Sequence, residues 1–242
     1  MSLTLRIGCC GWGYLKPLNL PVKKFFPKQS LLQSYATIFD TVEINYTFYR
    51  IPQTKTVQKW RQEVDAINPD FEFTVKAFQI ITHKLRFKDA STKYFDILIE
   101  LCKILKSKVI LFQSPSTFTP KEENLLALEN FFKNINRENF TLVWESRGNW
   151  NIELIKELCK SYNLIHCVDP FRNEPIILKK QKTIYFRLHG IGEKMYVYKF
   201  NRTELIDLKT KLSRIPKESK TAYIFFNNTN CYEDAYLFKQ MI

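Results

Sequence analysis

Residues 141–147 read Thr-Leu-Val-Trp-Glu-Ser-Arg, a short apolar run whose end carries a carboxylate and a guanidinium. Successive side chains of a β-strand point to opposite faces, so Leu142 and Trp144 share one face while Glu145 and Arg147 share the other. Charged side chains on the inner face, at the C-terminal end of a strand, are typical of the site end of a parallel α/β barrel. This stretch therefore predicts a fold and the position of a site within it.

Runs of the same kind recur along the chain and alternate with segments of helical period. The predicted strands cover residues 5–10, 41–46, 71–77, 108–113, 140–146, 164–168, 183–189 and 222–226. The predicted helices cover residues 29–39, 54–66, 91–105, 121–136, 152–161, 202–214 and 231–241. Eight strands in βα alternation, with no low-complexity linker, predict an α/β protein: a single (β/α)8 TIM barrel spanning residues 1–242. An open doubly wound sheet is the alternative.

One βα repeat is defective. The segment between the sixth and seventh predicted strands, residues 169–182, contains Pro170 and Pro175 and is too short for a full helix with its two connections. We expect a loop or a single turn there, so the helix between strands six and seven is degenerate or missing.

Polar side chains end seven of the eight predicted strands. By the same alternation, Glu43 and Asn45 face inward in the second strand, Lys76 in the third, and Arg187 with His189 in the seventh. The other polar strand ends are Gln113, Glu145, Arg147, Asp169, Asn227 and Asn228. Burying so many charges without a function is costly, and barrel sites lie at this end. We predict one polar site at the C-terminal mouth of the barrel.

Acidic and basic groups are roughly balanced in this predicted site. Balance favours a ligand that carries a phosphate or carboxylate, gripped by Arg147 and Arg187, over a divalent metal, for whose ligands these cations would compete. The acid–base candidates are Glu43, Glu145, Asp169 and His189. The other candidates for ligand binding are Trp12, Asn45, Tyr49, Lys76, His83, Gln113, Trp150, Asn227 and Asn228.

Two other functions stay open. The net charge of +13 attracts nucleic acid, for which Trp12 and Trp150 would serve as stacking platforms. A metal-dependent hydrolase would use Glu145, Asp169 and His189. The chain contains no P-loop, G-x-S-x-G or H-E-x-x-H motif. We therefore expect no cofactor and no metal, a small anionic ligand as the main partner, and nucleic acid as the alternative partner.

The cysteines and the apolar runs bear on the compartment. The cysteines are Cys9, Cys10, Cys102, Cys159, Cys167 and Cys231. They form no C-x-x-C pair and are predicted to be free thiols, although Cys9 or Cys10 as a nucleophile beside His189 is an alternative. No apolar run approaches about 18 residues, and the N-terminus has the pattern of a strand rather than of a signal peptide. We expect a cytoplasmic protein with no membrane partner.

Taken together, the motifs resemble the YecE-like family, also called domain of unknown function 72. They are, in order, GCCGWGY, FFP, YATIFDTVEINYTFYRIP, FEFTVKAFQIITH, FQSPSTF, VWESRGNW, VDPF, YFRLHG and FFNNT, between residues 7 and 228. The resemblance implies a TIM barrel and brings no established reaction. Two features depart from the family's usual pattern: Cys9 and Cys10 replace hydroxyl residues, and Ser114 stands where an apolar residue is usual.

Overall fold

Eight parallel strands form one sheet in the computed structural model, which describes residues 3–14 and 29–242. The strands are β1 (Thr4–Cys9), β2 (Thr41–Ile44), β3 (Glu72–Lys76), β4 (Val109–Gln113), β5 (Thr141–Glu145), β6 (Leu164–Val168), β7 (Thr183–Leu188) and β8 (Thr221–Phe226). Their order in the sheet is β1-β8-β7-β6-β5-β4-β3-β2. The fold is the predicted (β/α)8 TIM barrel, because an open doubly wound sheet does not pair its first strand with its last. The FFP motif lies outside the described residues.

Helices follow every strand except β6. They are α1 (Leu31–Ala36), α2 (Tyr46–Tyr49), α3 (Thr54–Asp65), α4 (Thr92–Leu105), α5 (Glu122–Asn134), α6 (Ile152–Ser161), α7 (Arg202–Ser213) and α8 (Cys231–Gln240), with a π-helical turn at Ile80–Lys84 and a 3-10 turn at Asp89–Ser91. All seven predicted helices are present. Residues 169–182 hold only turns and extended chain, which confirms the missing helix between β6 and β7. Within the described ranges, no helix has the length and apolar character needed to cross a bilayer.

The second strand is shorter than predicted because a helical turn replaces its end. β2 stops at Ile44, and Asn45 already has helical backbone angles, with φ −89° and ψ −14°. The buried hydroxyl of Thr47 donates to the Ile44 carbonyl at 2.9 Å and to the Lys76 carbonyl at 2.6 Å. These bonds hold α2 against the end of β3. The alternation of apolar residues continues through this turn, which is why the sequence pattern did not reveal it.

The chain divides into two compact units. Unit 1 comprises the described parts of Met1–Glu43, Gln62–Glu72 and Val168–Ile242, and unit 2 comprises Ile44–Arg61 and Phe73–Cys167. Each unit has its own buried apolar residues and its own charged groups at strand ends. The single domain over residues 1–242 stays a prediction.

Unit 1 is built on three adjacent strands, since β8 pairs in parallel with both β1 and β7. The buried Tyr35 of α1 joins β1 to the start of β2. Its hydroxyl accepts the Cys9 backbone N–H at 2.8 Å and donates to the Thr41 carbonyl at 2.9 Å. This bridge requires close approach of the two backbones, and Gly8 permits it because it has no side chain.

Unit 2 has an aromatic core. Its members come from α4, β4, α5 and the loops after β3 and β4: Phe87, Phe95, Phe112, Phe118, Phe131 and Phe132. The centroids of contacting rings lie 5.2–6.3 Å apart, in tilted and edge-on arrangements that aromatic pairs prefer. The cluster fixes the loop that follows β4, where the Phe118 carbonyl accepts the indole N–H of Trp150 at 2.7 Å. The core of unit 2 therefore positions the side chains that follow β5.

Substitution of Gly8 by alanine tests the close approach in unit 1. A Cβ at this position would lie 2.2 Å from the Thr41 carbonyl oxygen and 2.8 Å from the Tyr35 hydroxyl, so the backbones must separate. We expect Gly8→Ala to lower the free energy of unfolding by about 1–3 kcal/mol or more. Urea denaturation measures this loss. Gly13→Ala is the matched control because no atom of residues 3–14 and 29–242 lies within 4 Å of its Cβ. Equal stability of the two variants would contradict the packing described here.

Candidate functional site

A buried ion pair lies at the strand ends of unit 1. The Arg187 guanidinium donates from Nε to Oε2 of Glu43 at 3.0 Å and from Nη2 to Oε1 at 2.9 Å. The Tyr185 hydroxyl donates to the same carboxylate at 2.8 Å. The side chain of Glu43 is 0% exposed and that of Arg187 is 1% exposed. Both residues face inward as predicted, and the guanidinium predicted to hold a ligand is engaged by Glu43.

A second acidic residue of unit 1 organises the chain after β6 and β7. Asp169 accepts the backbone N–H of His189 at 2.7 Å through Oδ2 and that of Phe171 at 3.0 Å through Oδ1. The His189 Nδ1 lies 3.5 Å from the same Oδ2, and both side chains are buried. The Tyr196 ring packs against the imidazole at a centroid distance of 5.3 Å. A carboxylate in this position can orient the imidazole for acid–base work.

The remaining unit 1 candidates differ in their surroundings. The side-chain amide of buried Asn228 donates to the Tyr198 carbonyl at 2.8 Å and to Oδ2 of Asp234 at 2.6 Å. Burial raises the pKa of Asp234 to about 6, and sequence reasoning missed this residue because it lies inside α8 rather than at a strand end. Asn227 and Trp12 are half-buried. Asn228 thus connects the chain after β7 to α8. Ligand contacts of Trp12, Asn227 and Asn228 stay predictions.

The two N-terminal thiols have different environments. Burial raises the pKa of Cys9 well above its ordinary value, and its Sγ lies 3.3 Å from the Cys231 carbonyl oxygen. Such a thiol stays protonated at neutral pH and is a poor nucleophile. The half-buried Cys10 lies beside the ion pair, with its Sγ 3.7 Å from Nη2 of Arg187. The geometry favours a structural role for Cys9.

Glu145 and Arg147 form the ion pair of unit 2. Nε of Arg147 donates to Oε1 of Glu145 at 3.0 Å, and Nη2 donates to the same oxygen at 2.8 Å. The Glu145 side chain is buried, whereas that of Arg147 is 19% exposed. Trp150, on the same loop, packs edge-on against Trp144 at 5.1 Å. The loop after β5 therefore presents a cation with partial access to solvent.

His83 lies among positively charged groups. Desolvation lowers its pKa first, and the charges of Lys76, Arg147 and Arg86 lower it further, to about 4. The imidazole is therefore neutral at neutral pH. Its Nδ1 is hydrogen-bonded to the buried Thr82 hydroxyl at 2.8 Å, which orients the ring. We call Lys76, His83, Arg86 and Arg147 the His83 cluster.

Aromatic rings support the cations of the His83 cluster. The ammonium of Lys76 lies 4.1 Å from the centroid of Phe48, and the same ring packs edge-on against His83 at 4.8 Å. The guanidinium of Arg86 lies 5.2 Å from the centroid of Phe118. Cations above ring faces are stabilised by the electrons of the ring. These contacts stabilise the positive charges of Lys76 and Arg86, which repel each other in partly desolvated surroundings.

Sequence reasoning missed Arg86, which lies beyond the π-helical turn after β3. It donates to the Thr117 carbonyl at 3.0 Å. Arg86 and Phe87 both have left-handed backbone angles, with φ of 52° and 63°. Two consecutive non-glycine residues in this region are costly and concentrate at functional sites. The histidine at 83 was a usable signal, because Arg86 follows it by three residues on the same loop.

The other unit 2 candidates lie at strand ends or on α2. Gln113 ends β4 in register with Glu145 of β5, and it is half-buried like Asn45. Tyr49 ends α2, and its ring is exposed. In the described part of the chain, no three His, Cys, Asp or Glu residues are grouped closely enough to hold a metal ion. The proposed metal ligands Glu145, Asp169 and His189 therefore form no such group.

The fold and these strand-end charges define a TIM-barrel protein with buried ion pairs and a basic cluster. The family described as protein of unknown function DUF72 matches residues 6–242, and the chain belongs to this family, as its motifs predicted. UPF0759 protein YunF of Bacillus subtilis (strain 168) is 28% identical over 98% of this chain and 93% of its own length. UPF0759 protein YecE of Escherichia coli (strain K12) is 27% identical over 54% of this chain and 44% of its own length. The crystal structure of a DUF72 family protein from Thermotoga maritima MSB8 has a TM-score of 0.75 at 23% identity and covers 98% of both chains.

The buried pair of unit 1 is tested by removing one of its charges. Glu43→Gln leaves Arg187 buried without its counter-charge, which costs about 3–5 kcal/mol in the free energy of unfolding. Urea denaturation of Glu43→Gln measures the loss. Glu129→Gln on α5, which removes an exposed pair with Lys133, is the control and should change stability by about 0–1 kcal/mol. A loss for Glu43→Gln no larger than that of the control would show that the ion pair does not support the fold.

Proposed function

We propose that the protein binds a small ligand carrying a phosphate or carboxylate at the His83 cluster. The observation that carries the proposal is the gathering of cations around His83. The Phe48 ring contacts both the Lys76 ammonium, at 4.1 Å, and the imidazole, at 4.8 Å, and the charges of Arg147 and Arg86 act on the same imidazole. Mutual repulsion of these cations is unfavourable, and a bound anion relieves it. Glu145, paired with Arg147, brings a carboxylate to the edge of the cluster.

The cations of the cluster suit a small anion rather than a metal. Guanidinium groups bind phosphate and carboxylate oxygens through paired N–H donors, and lysine adds a compact positive charge. The partly exposed Arg147 and the half-buried Arg86 can be reached from solvent, while Lys76 is only 7% exposed and lies deeper. The ligand therefore enters with its anionic group first.

The proposal assigns Arg187 a different role from the one predicted from the sequence. Its guanidinium is buried and bound to Glu43 through two hydrogen bonds, so holding an external anion there would require breaking that pair. The anion is therefore assigned to Lys76, Arg86 and Arg147. For processing of the bound ligand, the acid–base candidates are the neutral His83, on which these cations act, and the carboxylate of Glu145, which pairs with Arg147.

Nucleic-acid binding is the second candidate function, favoured by the net charge of +13. It fits the His83 cluster less well. A nucleic-acid backbone is held by exposed cations along a surface, whereas the ammonium of Lys76 is buried over the Phe48 ring. A single terminal or free anionic group reaches such a position more easily than the phosphates of a continuous strand.

The proposal places the protein in the cytoplasm. All six cysteines are free thiols, and Cys9, Cys102, Cys159 and Cys167 are buried. Free thiols in this number are typical of proteins from a reducing compartment. Small phosphorylated and carboxylated metabolites are abundant there, which agrees with the proposed ligand class.

Calorimetric titration with inorganic phosphate tests the proposed site. We expect the wild-type protein to bind phosphate, and Lys76→Gln and Arg86→Gln each to bind it about ten- to a hundred-fold more weakly, because each removes a charge-assisted hydrogen bond. Arg147 is left intact since its loss would remove an ion-pair partner of the buried Glu145.

Lys156→Gln, on the exposed face of α6, is the matched control and should bind phosphate like the wild type. The melting temperature of each variant shows whether it is folded. The proposal fails if the wild-type protein binds no phosphate up to tens of millimolar, or if the two cluster variants bind it as tightly as Lys156→Gln.

A further inference from the structure

An exposed aromatic ring adjoins the His83 cluster. Tyr49 is 70% exposed, and its ring packs edge-on against Phe48 with 5.0 Å between centroids. Phe48 in turn lies under the ammonium of Lys76 and against the ring of His83. The exposed ring is therefore one side chain away from the proposed position of the anion.

The backbone at Tyr49 is held in place although its ring is not buried. It ends α2, whose hydrogen-bonded turn is closed by the Arg50 N–H donating to the Tyr46 carbonyl at 3.1 Å. The Gln79 side chain donates to the Tyr49 carbonyl at 3.5 Å. An exposed ring on a fixed backbone offers a flat apolar face that a planar ligand can cover.

Two other aromatic residues of unit 2 pack against different rings. Trp150 packs against Trp144 and Phe118, and its indole N–H is bonded to a carbonyl. Tyr46, at the other end of α2, packs edge-on against Trp60 at 5.6 Å and is 46% exposed. Among the aromatic side chains that contact Phe48 or Phe118, Tyr49 has the largest exposed fraction.

We propose that the ligand of the His83 cluster is a phosphate joined to a planar ring, the class that includes nucleoside monophosphates and aryl phosphates. This inference rests on the proposed function: the cluster holds the phosphate, and Tyr49 stacks on the ring. The planar ring covers the exposed face of Tyr49, and every such ring offers a π-face irrespective of its hydrogen-bonding groups. The separation of the two subsites by one aromatic side chain matches a short linker, such as a sugar, between phosphate and ring.

Titrations with three ligands separate the two parts of this inference. Inorganic phosphate reports on the cluster alone, glycerol phosphate adds a linker without a ring, and adenosine monophosphate adds the ring. We expect adenosine monophosphate to bind about ten-fold more tightly than glycerol phosphate, the gain typical of one stacked base. Tyr49→Ala should abolish this gain while leaving the affinity for inorganic phosphate unchanged, and Tyr49→Phe should preserve it.

Tyr46→Ala is the matched control, because it removes an exposed tyrosine of the same short helix that packs elsewhere. It should retain the preference for the ring-bearing ligand. Equal binding of adenosine monophosphate and glycerol phosphate overturns the inference but leaves the phosphate site standing, as does an unaltered preference in Tyr49→Ala. Absence of binding by all three ligands overturns the proposed function and this inference together.

Discussion

The structure depends on one constraint: a carboxylate buried at the end of a barrel strand must be paired with a cation within the protein. Glu43 with Arg187 in unit 1 and Glu145 with Arg147 in unit 2 obey it, each through two N–H donors on one carboxylate. An isolated charge in such surroundings would be prohibitively unstable. From the sequence, the polar residues at the strand ends look like a single set of catalytic groups. Their pairing shows that some of them stabilise the fold and that they differ in access to solvent.

The same constraint locates the function. In unit 1, polar side chains at the strand ends form hydrogen bonds within the protein. Asp169 accepts two backbone N–H groups, and the Asn228 amide donates to a carbonyl and to Asp234. In unit 2, cations gather around a neutral His83, supported by aromatic rings and a strained loop. Cations gathered around one imidazole and backbone strain are both costs that a purely structural barrel would avoid. Their coincidence is the reason for assigning the ligand to the His83 cluster.

Alternation along the strands was sufficient to predict the barrel, the missing helix after β6 and the burial of Glu43, Glu145 and Arg187. It could not predict partners, because Glu43 and Arg187 are separated by 144 residues and pair only through the closed order of the strands. Alternation also failed where the backbone is not extended. The residues of α2 continue the apolar alternation of β2, so the helical turn was not predicted. Arg86 lies in a loop whose left-handed backbone angles have no sequence pattern that predicts them. The ligand-binding role of Arg187 stays a prediction: its inward orientation was visible in the sequence, but its pairing with Glu43 was not.

The most direct test of the central claim is the pKa of His83 measured by NMR with and without saturating inorganic phosphate, with His83→Gln identifying its signals. The account predicts a pKa of about 4 without the anion. Phosphate among the cations should favour the imidazolium and raise that pKa by about one unit or more, because an opposite charge nearby stabilises the charged form. A pKa near the ordinary value for histidine in the free protein, or one that phosphate leaves unchanged, would contradict the account.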